Sequence, residues 1–431
     1  MAYWVAEAVA TLLAFTTITP AILLIGLLLF KRNEIQKVPP PLASLPCVSI
    51  IVPAYNEEKT IANTVLSSLA LNYPKEKLEI VVVNDGSKDR TKDICEVFEK
   101  RGEIILVNQK NAGKGAAMNA GVRAANGEFV VCLDADSEPH PDALMKMLCH
   151  FTSDDVACVT AAMKVKNKKE FLSGTQAIEY VFSIILRKLL SFVNAIVVIP
   201  GPFSIYKKSI LQKVGGFDEY NLTEDNEIAL RFLDRGYRIH NCIDGYVHTL
   251  APTTLSSLYK QRLRWNRGNI ENCIKYKHLF FNPRNPYVGF LILPMFVASF
   301  GAVFTTIAFF LYNFTRNMAD AMDYLWRLYM INFDIRPFLS ALTLASTKEQ
   351  VMYYFLSMTM MNVVYVTLSG LLIFILYAAF KHSREKISGY NKFSLPAYLL
   401  IYFPMLSLAW CAAIMHHIFG VKRQWNHKAD A

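Results

Sequence analysis

Between residues 47 and 136 the sequence alternates short apolar runs, each closed by a polar turn, with segments of helical periodicity. The runs are CVSIIVPAYNE, LEIVVVNDGS, EIILVNQ and GEFVVCLDAD. Continuous β-branched runs of this length are typical of strands that are buried on both faces. Strands that alternate with helices pair in parallel, with helices on both faces of the sheet. The sequence therefore predicts an α/β domain with a mostly parallel sheet.

The segments between these strands carry helix signals. After the first strand, Ile61, Val65 and Leu69 recur at helical spacing, and we expect a helix over residues 57–71 with Asn56 as its N-cap. The segment DRTKDICEVFEKRG predicts a second helix. Because ligands bind beyond the carboxyl ends of parallel strands, the turns PAYNE, NDGS and DAD are expected to form one site.

Long apolar segments flank this domain. Hydrophobic residues make up 53% of the 431 residues, and the mean hydropathy is +0.25. Both values are high for a wholly soluble protein. We expect four membrane-spanning helices, because each of four runs can cross a hydrocarbon core of roughly 30 Å: residues 5–30, 287–314, 351–380 and 395–419. The first would precede a domain at residues 45–286, and the others would form a membrane domain over 287–419, followed by a basic tail at 420–431.

The charge flanking the first run predicts its orientation. No lysine or arginine precedes Lys31, whereas a cleaved signal peptide needs an early positive region. Lys31 and Arg32 on the other flank place the amino terminus outside and the domain in the cytoplasm, at the plasma membrane. The loop 381–392 and the tail are both basic although one predicted helix separates them. A re-entrant or interfacial segment among the last three runs would resolve this conflict.

Two amphipathic stretches lie within the domain, at residues 171–200 and 254–277. They are too polar to span a membrane, and we expect them to lie in its interface. For the first stretch, burial against the sheet explains the pattern equally well.

The formal net charge of +10 is spread over many short basic groups, which favours anionic lipid headgroups and an anionic substrate as partners. No nucleic-acid-binding motif accompanies this charge, so a nucleic-acid partner is not expected. The eight cysteines show no CxxC pair and no metal spacing, which predicts reduced thiols.

Two strand-end motifs suit an anionic ligand. Asp134 and Asp136 alternate in an extended segment, so their carboxylates would face one site and favour a divalent cation there. An isolated DxD is more often a solvated loop. Asp85 precedes Gly86 in a turn that could present its carboxylate to a ribose or a base, although an Asx-turn is an equal alternative. Lys114 lies in NAGKGAAMNAG, where small residues permit close approach to a ligand phosphate.

Two further motifs follow in the second half of the domain. Asp225, in LTED, lies near a predicted helix start, where the helix dipole would help to keep its carboxylate ionised, although it could simply cap this helix. In QRLRW, residues Gln261, Arg264 and Trp265 share one helical face. Arg264 could hold a diphosphate bidentately while the ring of Trp265 stacks on a sugar. An interfacial membrane anchor is the ordinary alternative for an Arg-Trp pair.

In this order, from about Cys47 to Trp265, the motifs resemble the donor, metal, base and acceptor elements of the membrane-bound family 2 glycosyltransferases. That family includes cellulose, chitin, hyaluronan and poly-N-acetylglucosamine synthases. The resemblance implies a GT-A fold with a Rossmann-like sheet, a nucleotide-sugar donor, inversion at the anomeric carbon and a need for Mn²⁺ or Mg²⁺.

The resemblance also implies a role for each residue of the set. Asp225 would be the catalytic base and Asp136 the metal ligand. The residues implied to bind the donor are Glu57, Asp85, Lys114, Asp134 and Arg264. Those implied to bind the acceptor are Gly201, Glu224, Gln261 and Trp265.

We therefore expect a metal-dependent polysaccharide synthase that uses a UDP-sugar, with UDP-GlcNAc favoured, and extends a β-linked carbohydrate. One alternative is the transfer of a single sugar to a lipid-linked acceptor. A transporter with a non-catalytic cytoplasmic domain is disfavoured, because the predicted spans contain almost no ionisable residues.

Overall fold

A computed structural model describes residues 18–298, 314–316, 318–319, 322–323, 326–327, 329–330 and 360–421. The chain divides into two compact units, one comprising residues 1–23 and 295–374 and the other residues 24–294 and 375–431. In the first unit the described residues are helical. The sheet and the candidate site belong to the second unit.

The second unit is built on one eight-stranded sheet of order β3-β2-β1-β4-β7-β6-β8-β5. The strands β1 to β4 are parallel, β7 is antiparallel to its neighbours β4 and β6, and β5 is antiparallel to β8. Their bounds are Val48–Ala54 (β1), Leu78–Asp85 (β2), Ile105–Gln109 (β3), Phe129–Cys132 (β4), Ser137–Pro139 (β5), Val156–Val165 (β6), Ser204–Lys207 (β7) and Arg238–Thr249 (β8).

Helices follow most strands, as the alternating pattern predicts. Residues 18–30 form α1. The others in the described part are Ile61–Leu69 (α2), Thr91–Lys100 (α3), Lys114–Ala124 (α4), Ala143–Leu148 (α5), Phe171–Phe192 (α6), Lys208–Lys213 (α7), Glu224–Asp234 (α8), Leu255–Lys275 (α9), Met360–Ser383 (α10), Ser394–Ala397 (α11) and Phe403–Ile418 (α12).

The central strand β1 explains why the core has two halves. Side chains of a strand alternate between the two faces of a sheet. Ile50 and Val52 accordingly lie in one hydrophobic cluster, whereas Ile51 lies in the cluster on the opposite face. All three are fully buried. This is the burial that the β-branched run predicts, and the four strands predicted between residues 47 and 136 are confirmed.

The first predicted helix starts later than expected. The helix α2 begins at Ile61 rather than near Glu57, and Thr60 precedes it. The prediction of Asn56 as its N-cap is wrong, because Asn56 adopts a left-handed conformation with φ of 54°. Its side-chain Oδ1 instead accepts a hydrogen bond from the backbone N–H of Lys88, which lies in the neighbouring loop.

The two amphipathic stretches are helical, as α6 and α9. For α6 the structure shows burial, because most of its side chains are buried and it packs on β6 and β8. The helix α9 begins after Thr254, whose Oγ1 accepts a hydrogen bond from the backbone N–H of Ser257, and it packs on α12. The position of α9 in a membrane interface stays a prediction.

Among the residues with described positions, no helix combines the length and the apolarity needed to cross a membrane. Parts of three predicted spans lie outside those residues, at 5–17, 299–313 and 351–359, as does most of the tail at 420–431. The fourth predicted span is described and comprises α11, a π-helical turn at Tyr398–Tyr402 and α12.

Close packing of α4 on the sheet depends on Gly121. A Cβ added there would lie 2.3 Å from Cγ2 of Ile51 on β1. We expect Gly121→Ala to lower the free energy of unfolding by about 1–3 kcal/mol, the usual cost of overpacking a core. Denaturant titration of the purified protein measures this change.

The matched control is the double variant Gly121→Ala/Ile51→Ala, in which the second change removes the atom that would be struck. The two substitutions should then cost less together than the sum of the single changes. Purely additive effects would show that helix and strand do not meet at this point.

Candidate active site

The site lies beyond the carboxyl ends of β1, β2 and β4, where hydrogen bonds join neighbouring loops. The backbone N–H of Asn56 donates to Oγ of Ser87 at 3.1 Å, and that of Glu57 donates to Oγ1 of Thr91 at 2.8 Å. The carboxylate of Glu57 accepts a hydrogen bond from the hydroxyl of Thr60. The PAYNE and NDGS turns are therefore held together, as the parallel sheet predicts.

Asp85, at the end of β2, is 2% exposed. Its Oδ1 accepts hydrogen bonds from the backbone N–H of Ala112 and the side chain of Gln109, and its Oδ2 accepts one from the N–H of Gly113. All three donors belong to the segment that leads into α4. In this structure Asp85 thus fixes the start of α4, and its contact with a nucleotide stays a prediction.

Lys114, the first residue of α4, brings the two halves of the domain together. Its Nζ lies 2.6 Å from Oδ1 of Asp134 and 3.3 Å from Oε1 of Glu224. Burial lowers the pKa of Lys114, but the charges of these two carboxylates outweigh burial and raise it. Lys114 is therefore a permanent cation between two acidic side chains.

Gly201 forms one wall of this ion cluster. A Cβ at this position would lie 2.7 Å from Nζ of Lys114 and 2.9 Å from Oδ2 of Asp134. A larger residue would separate the lysine from the aspartate. The small-residue loop of the sequence thus lies at the predicted site, in contact with two of its charged groups.

Asp225 lies beside the cluster in the first turn of α8. Burial and the charge of the neighbouring Glu224 raise its pKa, Lys114 and Arg264 lower it, and the net pKa is about 6. The backbone N–H of Asn226 donates to its Oδ1 at 2.8 Å. An aspartate with this pKa can both accept and release a proton near neutral pH.

Asp136 accepts hydrogen bonds from the hydroxyls of Ser137 at 3.1 Å and Thr249 at 3.4 Å. Within the described ranges, no group of three or more His, Cys, Asp or Glu side chains is arranged to hold a metal ion. Asp134 and Asp136 offer hard oxygen ligands of the kind that Mg²⁺ and Mn²⁺ prefer. A metal at this pair would need its remaining ligands from substrate or water.

The helix α9 packs against the LTED loop through contacts that the sequence motifs do not reveal. A Cβ on Gly268 would lie 2.2 Å from Oγ1 of Thr223, so the helix and the loop touch. The fully buried side chain of Asn272 donates to Oγ1 of Thr223 at 3.1 Å and to Oδ1 of Asn226 at 2.6 Å. One face of α9 therefore positions the segment that carries Asp225.

The QRLRW residues separate into two groups. Arg264 donates to the backbone oxygen of Leu222 at 3.1 Å, and its charge acts on Asp225. Gln261 accepts a hydrogen bond from the buried side chain of Gln176 on α6 at 2.9 Å. Of the three predicted residues, Arg264 is thus the one tied to the LTED loop.

Arg262 is the member of QRLRW that sequence reasoning missed. It forms a bidentate ion pair with Glu179 on α6 and donates to the hydroxyl of Tyr402 at 2.8 Å. Its guanidinium carbon also lies 4.6 Å from the centre of the Trp265 ring. The Trp265 ring therefore packs against a guanidinium group that Glu179 and Tyr402 hold in place. Partners 83 and 140 residues away leave no local sequence signal.

The mostly parallel sheet, with an acidic cluster at the carboxyl ends of its strands, has a GT-A-like α/β architecture. Residues 49–215 match the family model described as Glycosyl transferase family 2, so for this part of the chain the family 2 assignment made from the sequence is confirmed.

The chain is 36% identical over 227 residues to the poly-β-1,6-N-acetyl-D-glucosamine synthase of Staphylococcus aureus (strain COL), which is 52% of this chain and 55% of that protein. The synthase of Staphylococcus epidermidis matches at 36% over 228 residues, with the same two shares. The chain therefore spans about half the length of the curated relatives it matches. The fold is shared with a mannosyltransferase from Pyrobaculum calidifontis, solved in complex with GDP-Man and Mn²⁺, at a TM-score of 0.59 and 19% identity over 96% of this chain and 99% of that one.

The raised pKa of Asp225 predicts a stability effect with a definite pH dependence. The folded-state value of about 6 exceeds the ordinary aspartate value of about 3.9, so ionisation of Asp225 opposes folding above pH 6 and has no effect below pH 4. At pH 8, Asp225→Asn should unfold at a higher temperature than the parent, and its free energy of unfolding should be larger by on the order of 1 kcal/mol. At pH 4 the substitution should give no gain in stability.

Asp218→Asn is the control of opposite sign. Burial raises the pKa of Asp218, but hydrogen bonds from Lys275 and from the N–H of Tyr220 outweigh burial and lower it. This variant should be less stable than the parent at pH 8. Equal behaviour of the two variants in thermal unfolding would contradict the electrostatic assignment of Asp225.

Proposed function

We propose that the chain is an inverting β-glycosyltransferase that transfers a sugar from a UDP-sugar to a growing β-linked polysaccharide or oligosaccharide. The observation that carries this proposal is the partly buried Asp225, with its pKa of about 6, beside the cluster of Lys114, Asp134 and Glu224. A base and an anion-binding cation are the two groups that sugar transfer from a diphosphate requires. Both lie at the edge of the sheet where ligands bind.

Asp225 is proposed as the general base. The acceptor hydroxyl oxygen forms a bond to the anomeric carbon, the bond from that carbon to the diphosphate oxygen breaks, and the hydroxyl proton passes to a carboxylate oxygen of Asp225. A base works best when its pKa lies near the operating pH. The pKa of about 6 meets this condition, since most of the carboxylate is ionised at neutral pH. Direct displacement would invert the anomeric configuration.

Lys114 and Arg264 are proposed to bind the diphosphate, because they are the cations whose charges act on Asp225. Asp136 would hold Mg²⁺ or Mn²⁺, whose chemistry is to neutralise charge on the diphosphate, and Asp134 is proposed to contact the donor. Glu57 and Asp85 are proposed for the nucleotide on the strength of the family motif. Asp85 can accept a further hydrogen bond, because each carboxylate oxygen has more than one lone pair.

The acceptor sugar is proposed to lie on Trp265, whose ring is braced by Arg262. Gln261, Gly201 and Glu224 complete this proposed acceptor site. Tyr180 on α6 belongs to the same neighbourhood. Burial raises the pKa of its hydroxyl to about 12, and the charges of Arg262, Glu179 and Asp136 also act on it.

UDP-GlcNAc is proposed as the donor, because the matched relatives are named poly-β-1,6-N-acetyl-D-glucosamine synthases. A multi-pass position in the plasma membrane, with the catalytic domain in the cytoplasm, is proposed from the long apolar runs of the sequence. Lipids and a carbohydrate acceptor would then be the partners.

The test of this function is a panel of UDP-sugars supplied to the detergent-purified chain with Mn²⁺, following UDP release and the size of the labelled product. We expect UDP-GlcNAc to give a ladder or a high-mass polymer. UDP release that needs an added lipid acceptor, with transfer of one sugar, would favour single-sugar transfer instead. Absence of UDP release from every donor would reject the proposed function.

In the same assay, Asp225→Asn should lower turnover by a factor on the order of 10² or more, the usual contribution of a positioned base. Stabilisation by UDP and Mn²⁺ should persist, because the substitution removes charge but little volume. Asp234→Asn, at the other end of α8, is the matched control and should remain active. Near-normal turnover of the Asp225 variant would exclude it as the base.

Lys114→Met should shift the pH profile of kcat/KM. The charge of Lys114 lowers the pKa of Asp225, so its removal should move the acid limb from about pH 6 to higher pH, by on the order of one unit. Lys100→Met, an exposed change on α3, should leave the limb in place. If the acid limb of the Lys114 variant does not shift, the charge of Lys114 does not influence the pKa of Asp225.

A further inference from the structure

A second cluster of basic side chains lines an open cavity of about 460 Å³. Chain segments from four places build it: the residues after α1, those after α5, the end of α6 and the start of β8. The basic and imidazole side chains among its lining residues are Lys31, Lys37, His150, Lys188, Arg238 and His240.

The cavity lies at the amino-terminal end of β8, whereas the candidate active site lies beyond the carboxyl ends of the parallel strands. Strand β7 is antiparallel to both β4 and β6, and β6 is parallel to β8, so β8 runs in the same direction as β4. Arg238 is the first residue of β8, whereas Asp134 lies after the end of β4. The two sites are thus at opposite ends of the strands.

Lys188 is the central charge of the cavity. Its side chain lies on α6 and is 6% exposed, and burial lowers its pKa. Its one hydrogen bond is a long contact of 3.4 Å from Nζ to the backbone oxygen of Asn241. Within residues 18–298 and the other described segments, no carboxylate lies within 4 Å of Nζ. A buried ammonium without a counter-ion is costly.

Neighbouring groups leave the cavity positive. Glu34 is the one acidic lining residue, and its Oε1 lies 2.8 Å from Nζ of Lys31. Lys37 and Arg238 are exposed at the mouth. Burial and the charge of Lys188 lower the pKa of His150 to about 3, and burial also lowers the pKa of His240. Both rings are therefore neutral at pH 7 and can exchange hydrogen bonds with a ligand.

Asn241 adds a second unsatisfied group at the same place. Its side chain is fully buried and lines the cavity, and its Oδ1 has no hydrogen-bond partner in the part of the chain with described positions. Buried polar atoms are nearly always paired, so an unpaired acceptor beside an ammonium that has one long hydrogen bond and no carboxylate partner points to a ligand. A ligand with both oxygen acceptors and a hydroxyl donor would satisfy both.

We propose that this cavity binds a phosphate ester, with Lys188 as the buried contact and Arg238, Lys37 and Lys31 around it. Charge-assisted hydrogen bonds from ammonium and guanidinium groups to phosphate oxygens are strong. A phosphate ester can come from a soluble metabolite or from the headgroup of an anionic lipid, and the chemistry of recognition is the same. The inference goes beyond the proposed transferase activity and does not depend on it.

Thermal unfolding of the full chain in a neutral detergent tests the site, with inorganic phosphate and glycerol phosphate as soluble probes and chloride at equal ionic strength as reference. Sedimentation with vesicles tests the lipid source, comparing phosphatidylglycerol with phosphatidylcholine. Stabilisation by the soluble probes would indicate a metabolite. Binding to phosphatidylglycerol vesicles without any response to the soluble probes would indicate a headgroup.

Lys188→Met and Arg238→Gln carry the test. Each should weaken the response to the effective probe at least tenfold. Without phosphate, Lys188→Met should be at least as stable as the parent, because it removes a buried charge that has no carboxylate partner. Lys100→Met removes the same charge from a distant exposed position and should retain the full response. A response that survives in both cavity variants, an equal loss in the Lys100 control, or no response to any probe would overturn the proposal.

Discussion

The candidate active site depends on one ammonium group that two halves of the domain share. Nζ of Lys114 lies between Asp134, at the end of a parallel strand, and Glu224, at the start of α8. Without that cation, Asp134, Glu224 and the adjacent Asp225 would repel one another in a site that is partly shielded from water. The regular first half of the domain and the less regular second half are therefore joined by charge as well as by packing.

Two sets of buried polar contacts hold this arrangement. Asp85 accepts three hydrogen bonds from the segment before α4 and so fixes the position from which Lys114 extends. On the other side, Gly268 and Asn272 bring α9 against the loop before Asp225. Both sets of contacts are buried. Hydrogen bonds are strong there, and the loss of one partner strongly lowers stability. Rigid support of this kind lets a cluster of like charges persist in one geometry.

The parts of this arrangement that sequence could predict are those with short-range signals. The strands that end in Asp85 and Asp134 are β-branched runs closed by polar turns, and their parallel pairing brings the turns together. The conformation of Asn56 could not be predicted, because its left-handed φ is fixed by contacts with a loop about 30 residues away. The same holds for Arg262, whose partners lie on α6 and in the turn before α12. Motif spacing predicts which residues face one way along a helix, but it contains no information on which distant element packs there.

The balance of charge around Asp225 also relates the free site to its proposed reaction. Burial and Glu224 raise the pKa of Asp225, whereas Lys114 and Arg264 lower it. Under the proposed function, a bound diphosphate would place negative charge beside these same two cations and offset their effect on Asp225. The carboxylate would then become a stronger base when the donor is in place, by an amount that depends on the charge left on the diphosphate after Mg²⁺ or Mn²⁺ has neutralised part of it. The coupling between donor binding and basicity therefore follows from one shared pair of cations, and the pH profile of the Lys114 variant reports on it directly.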